Sequence, residues 1–381
     1  MIDTTNSQGD LFLMEEAITY LNCANMSPML KSVREAGIQA LETRAAPWKI
    51  FSADWFRNSE VLRGLAAKVF QTNSDNIALI PSASYGLAVA AKNLTPPPGK
   101  EIIVLEQQFP SNYYVWENLA HQHNLQIVIV QRIKNKTLTE SILEKINSNT
   151  AIIAIPNCHW IDGIWIDLQK ISHAAKSVDS YLVLDLSQSL GALPIDIDSI
   201  QPDFAVSVGY KWLLGPYGLG YMYVSKKWQE TGEPLEYSWL TKKGSDNFAD
   251  LTNYMIGYRD GARKFDMGEF PQFNLLPMAI TALEQVINWE INSIQTEIKK
   301  LTGKIIDYKN KKGINDENAL SVGHIVSIPL NNLDVNDLKN RLEKDKIVIS
   351  FRGTSIRVSP HLYNNLDDID KLLSCLDRVE G

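Results

Sequence analysis

An α/β architecture, a mostly parallel seven-stranded sheet with a smaller α+β unit behind it, is what this sequence predicts. Continuous apolar runs of strand length recur along the chain, stretches with helical spacing lie between them, and the composition becomes more charged beyond Leu301. Unbroken apolar runs mark strands covered on both faces. Their alternation with helices is the pattern that crossover connections turn into a parallel sheet.

The strand-like runs are Ile77 to Ile80, Glu101 to Leu105, Leu125 to Val130, Ala151 to Ile155 and Tyr181 to Asp185, with a further apolar strand ahead of Lys211 and one from Gly218 to Val224. The spacing then predicts one long helix from Leu276 to Leu301. A strand at Ile325 to Ile328, a helix from Val335 to Glu343, strands at Ile347 to Ser350 and Ser355 to Val358, and a last helix from Asp367 to Asp377 complete the chain. Residues 16–277 read as the large unit, and residues 1–15 with 278–381 as the small one. Pro96-Pro97-Pro98-Gly99 is a tight loop within the large unit.

Composition narrows the class. A chain of 381 residues can bury a sizeable core, and 45% hydrophobic with 21% charged residues is ordinary for a globular protein. No apolar run approaches the roughly 20 residues that span a bilayer, and Met1 to Asn6 has no signal-peptide pattern. A cytoplasmic protein without membrane contact is the expectation. The net charge of −7 disfavours nucleic-acid binding, since the one basic cluster, Lys309-Asn310-Lys311-Lys312, reads as a solvated turn. Cys23, Cys158 and Cys375 have no metal-ligand spacing, so neither a disulfide framework nor a metal site is predicted.

The chemistry centres on two residues. Asp185 closes an apolar strand, where a carboxylate is costly unless paired, and Lys211 stands ahead of the small-residue turn Gly215-Pro216-Tyr217-Gly218. Pyridoxal 5′-phosphate needs such a pair: a lysine to hold its aldehyde as a Schiff base and an acid to keep its ring nitrogen protonated. Gln188, three residues after Asp185, is placed to donate to the ring's phenolate oxygen. A lysine freed from the cofactor can then move protons at a substrate Cα.

These stretches resemble class V aminotransferases of fold type I, the superfamily that also holds cysteine desulfurases, selenocysteine lyase, isopenicillin N epimerase and kynureninase. The resemblance runs through Tyr20-Leu21-Asn22, Ser82-Ala83-Ser84-Tyr85-Gly86, Glu106 to Asn112, His159 to Gly163, the Asp185 to Lys211 unit, Gly268-Glu269-Phe270 and Arg357 to Asn364. It implies that Phe109 stacks on the cofactor ring, and that Ser84 and Gly86 belong to a phosphate cradle at a helix start, where free N–H groups favour anions. It implies a phosphate contact from Tyr210 and a grip on the substrate carboxylate by Arg357, whose planar fork suits that task. Asn25 and His159 are further substrate contacts, His159 having no acid partner visible in the sequence. Arg352 and Arg263 are weaker anion-binding candidates. Phe109, Trp160, Trp212 and Tyr217 suggest aromatic walls. Glu269 stands where many relatives carry a threonine that reaches the phosphate across a dimer.

The resemblance implies a homodimer with the site at the interface, consistent with the weakly patterned segment Gly257 to Phe273, which needs a surface to lie on. It also implies an enzyme acting at the Cα of an amino acid. Amino-group transfer is the leading reading, with Cβ elimination, C–S cleavage or Cα inversion as alternatives. Lys344 to Thr354 contains no cysteine, which argues against a persulfide-forming desulfurase. A nucleotide-dependent dehydrogenase is excluded by the lack of Gly-x-Gly-x-x-Gly after the first strand. A silent binding or regulatory relative is the non-enzyme alternative, and the joint presence of Asp185, Lys211 and Arg357 argues against it.

Overall fold

The computed structural model describes residues 8–314, 320–330 and 333–379. The parts of the small-unit assignment at 1–7, 315–319, 331–332 and 380–381 lie outside the described residues.

After a two-residue strand β1 (Thr19–Tyr20), the chain lays down β2 (Ile77–Ile80), β3 (Glu101–Leu105), β4 (Gln126–Val130), β5 (Thr150–Pro156), β6 (Tyr181–Asp185), β7 (Phe204–Val208) and β8 (Gly220–Val224). Strands β2 to β8 form one seven-stranded sheet in the order β2-β8-β7-β6-β5-β3-β4, in which β8 runs against both of its neighbours. The central strands are buried throughout, which is why they read as unbroken apolar runs; only β4, at the edge, exposes part of its length. The expected fold class is therefore present, with strand ends within two residues of the sequence reading.

The expected single helix from Leu276 to Leu301 is two helices, Leu275–Trp289 and Ile291–Lys311, interrupted at Glu290 with φ 62° and ψ 122°. Apolar spacing continues across the break, from Val286 and Trp289 to Ile294 and Ile298, all buried. That continuity hides it in the sequence. Lys309 and Lys311 lie in the last helical turn rather than in a loop after it, where the helix dipole favours cations.

The C-terminal part contains β9 (Val326–Pro329), β10 (Ile347–Val348), β11 (Ser350–Arg352) and β12 (Ser355–Val358). Strands β11, β12 and β9 form an antiparallel sheet, and β10 pairs in parallel with β1. Val326, Ile328, Ile356 and Val358 pack with Leu338, Leu342, Leu372 and Leu376 of the helices Val335–Lys344 and Leu366–Val379. Residues 19–22 lie with these strands: Leu21 N donates to Val348 O (2.9 Å) and Cys23 N to Ser359 O (2.9 Å).

The segment Gly257 to Phe273 finds much of its surface within its own chain. Ala262, Phe265, Met267 and Phe270 are buried, and Asp266 forms a two-point ion pair with Arg63 (2.8 and 3.1 Å). Among the described residues, no helix is long and apolar enough to cross a membrane.

Candidate active site

In open α/β sheets ligands bind beyond the carboxyl ends of the parallel strands, and the predicted chemical residues collect there. Pro156 ends β5, Asp185 ends β6, Phe109 follows β3 and Lys211 follows β7; all four line one cleft. Asp185 is buried beside its strand partners Pro156 and Val206. Its Oδ1 accepts from Ser187 N (3.0 Å).

Lys211 is buried at the base of a turn drawn tight by Gly209, whose N–H bonds to Leu219 O (2.9 Å). A Cβ on Gly209 would stand 2.8 Å from Leu219 O, so only glycine allows this approach. Burial lowers the Lys211 pKa to about 8; Asp185 opposes the shift, while Arg357 and Arg352 add to it. Its Nζ lies 5.4 Å from the centre of the Phe109 ring and 5.8 Å from that of Tyr210. Phe109 in turn meets Trp160 edge-on at 5.4 Å.

At another wall the helix Ala83–Asn93 begins. Ser82 caps it by accepting from Tyr85 N (3.1 Å), leaving the first amides without partners inside the helix. Ala83 lines the cleft and Ser84 is exposed beside it. Gly86 does something different from the cradle role expected of it. Its N–H bonds to Ser82 O (3.3 Å), and a Cβ there would stand 2.6 Å from Val206 Cγ1, so it serves the packing of helix on sheet.

Gln188 reaches the cleft, but its amide is already engaged. Nε2 donates to Ala24 O (2.9 Å) and Oε1 accepts from Trp212 Nε1 (3.0 Å), so at most one N–H is left for a ligand. Trp212 is buried behind Gln188, against His324 at 4.6 Å, and is not a cleft wall. Tyr210 lines the cleft and packs on the exposed Tyr217. Asn25 is exposed and outside the cleft lining.

His159 has the acid partner that the sequence reading lacked. Its Nδ1 lies 3.4 Å from Asp162 Oδ1 and 3.2 Å from Arg132 Nη2, and Arg132 pairs with Asp162 at 2.5 Å. The i, i+3 spacing of His159 and Asp162 was a usable signal; Arg132, from a distant loop, was not. Gln108 and Asn112 also line the cleft and were missed as site residues. Gln108 bonds to Ala154 O (2.9 Å) and Asn112 O (2.8 Å), fixing the Phe109 loop to β5.

Arg357, on β12, is fully buried. Its Nη1 donates to Trp160 O (2.9 Å), while Nε and Nη2 have no partner. Burial, reinforced by Arg352, lowers its pKa to about 9. A guanidinium so placed is incomplete without an anion. Arg263, by contrast, is satisfied by Glu60 (2.6 Å) and Asp75 (2.7 Å) and is no ligand site.

A buried carboxylate at a strand end, a buried lysine of lowered pKa, open helix-start amides and an unsatisfied arginine together fit pyridoxal 5′-phosphate with an amino-acid substrate. This is the donor set of a fold type I pyridoxal-phosphate protein. The chain belongs to the class-V aminotransferase family, whose model matches residues 19–372, and its cofactor is accordingly pyridoxal 5′-phosphate. It is 25% identical over 365 residues to the uncharacterized aminotransferase YcbU of Bacillus subtilis, covering 94% of each chain. It is 30% identical over 235 residues to a probable cysteine desulfurase of Mycoplasma genitalium, covering 60% of this chain and 55% of that one. Its fold is similar to the apo cysteine desulfurase of Thermococcus onnurineus, with a TM-score of 0.83, 17% identity and 99% of both chains covered. The C-DES variant with glycine covalently linked to its PLP cofactor gives 0.85 at 16% identity, over 97% of this chain and 99% of that one.

Proposed function

We propose that this class V, pyridoxal-phosphate-dependent enzyme transfers the amino group of an amino acid. The carrying observation is that Asp185 and Lys211 are buried in one cleft and that the charge of the buried Arg357 acts on Lys211. In this reading Lys211 holds the cofactor's aldehyde, Asp185 pairs with the ring nitrogen, Phe109 covers one ring face, and Ser84 with Tyr210 meets the phosphate. When bound, the cofactor supplies a carbonyl for amines and an electron sink for charge developing at the substrate Cα. Arg357 fixes the substrate carboxylate through its free Nε and Nη2, and Lys211 moves the α-proton.

The three cysteines support transfer over a persulfide route. All are buried, none falls between Lys344 and Thr354, and burial pushes the thiols of Cys23 and Cys158 far up, away from the reactive thiolate. A homodimer accounts for the exposure of Trp48, Phe51, Tyr254 and Ile256. The large unit at 16–277 and the small unit at 1–15 with 278–381 remain the proposed division, with residues 19–20 of the large unit pairing with β10 of the small one.

Two measurements test the reading. Capture of the cofactor by apoprotein, followed by growth of its visible absorbance, should speed up as pH rises through about 8, where Lys211 becomes a neutral amine, and should vanish in Lys211→Ala. An amino acid should then bleach that band and a 2-oxo acid restore it. Release of ammonia with the band retained would replace transfer by elimination.

A further inference from the structure

The register of the C-terminal sheet places a second arginine beside Arg357. Ser350 lies opposite Arg357 and Arg352 opposite Ser355, so Arg352 and Arg357 share one sheet face as diagonal neighbours, about 7–8 Å apart. That face also carries Ser350, Ser355 and Ser327, while Phe351 and Ile356 turn to the apolar side. A two-residue turn with Gly353 at φ 56° fixes this register. Arg352 is half-buried, its guanidinium 5.5 Å from the centre of the Trp160 ring, the residue whose carbonyl Arg357 grips. Nη1 bonds to Phe351 O (2.8 Å), but the buried Nε has no partner. Among the described residues, neither guanidinium has a carboxylate within 4.0 Å.

Two like charges on one sheet face repel each other, and an anion bound between them offsets that repulsion. Among the described residues, Lys211 lies close enough for Arg352, Arg357 and Asp185 to act on it, while Asp162 is engaged by Arg132. Arg357 alone suffices for an α-carboxylate, because its free Nε and Nη2 form one bidentate fork. Arg352 is then surplus to any amino acid with a single acidic group.

We propose that Arg352 is a specificity-determining residue that binds a second acidic group, so that the substrate class is the dicarboxylic amino acids and their 2-oxo acids. This rests on the reading of Arg357 as the α-carboxylate anchor. The test is equilibrium binding of unreactive carboxylates to cofactor-loaded enzyme by calorimetry, comparing succinate with propionate. Succinate should bind about 10–100-fold more tightly, the worth of one charge-assisted hydrogen-bond pair. Arg352→Gln should abolish that preference with propionate unchanged, and Arg352→Lys should keep part of it. Equal affinities, a preference surviving in Arg352→Gln, or an equal loss for both ligands would overturn the proposal; equal loss would mean that both arginines clamp one carboxylate. Succinate preference in an enzyme that transfers no amino group would overturn only the aminotransferase reading.

Discussion

Arg63 and Arg357 are equally inaccessible to water, at 0% and 1% exposure, yet the protein treats them in opposite ways. Arg63 has its charge answered within the chain. Asp266 meets it at two points, Ile77 O accepts a further bond at 2.5 Å, and Leu79 N donates to the same carboxylate at 2.7 Å. Arg357 has one carbonyl and two empty donor positions. A buried ion costs several kcal/mol unless compensated. The difference teaches how to separate two buried cations of the same type: one closes a structural joint between a helix and a strand, the other leaves two donors open.

Breaking the answered pair should have the largest effect on stability. Asp266→Asn leaves Arg63 buried without its counter-charge and should cost about 3–5 kcal/mol, read as a lower urea midpoint at unchanged slope. A smaller loss would show that water reaches Arg63.

A second pair of buried bases sharpens the contrast by giving up charge altogether. His324 and His361 are fully buried, and burial lowers their pKa values to about 4 and about 3. Their folded values lie below the unfolded value of roughly 6.5, so the unfolded chain binds more protons in that window. Stability is complete above pH 6.5 and is lost as pH falls toward 4. His361→Phe should remove on the order of 3 kcal/mol of that loss at pH 4. The check is the difference in urea midpoints between neutral and acidic buffer.

Arg357→Gln should have the smallest effect on stability and a clear one on binding. Removing an uncompensated charge should leave apoprotein stability within about 1 kcal/mol of wild type or raise it, while KM for the amino acid rises about 10–100-fold. A stability loss as large as that of Asp266→Asn would make Arg357 a structural ion and overturn its proposed role as a carboxylate anchor.

The strands, and the places of Asp185 and Lys211 at one cleft, are legible in the sequence because both leave local marks: unbroken apolar runs for the first, a carboxylate closing such a run for the second. What was not legible depends on contacts between distant segments or on backbone angles. The break at Glu290 leaves the apolar spacing intact, so only the φ value reveals it. The resemblance places Gly86 in a phosphate cradle, but the atom that requires a glycine there is Val206 Cγ1, on a strand far along the chain. Gln188 lines the cleft, while its bonds to Ala24 and Trp212 join segments that no local pattern connects. His159 was read as alone although its acid partner stood three residues away.

The seam between residues 19–23 and strands β10 and β12 also bears on synthesis of the chain. The seven-stranded sheet is complete once Val224 has been made, and domains fold in order as they emerge. The first strand, however, finds its partners only when Val348 and Ser359 arrive. Until then the nascent chain carries the lysine and the aspartate in a framework that is open at the substrate end. The strand end that carries Asp185 and the turn that carries Lys211 are thus made long before the strand that carries Arg357.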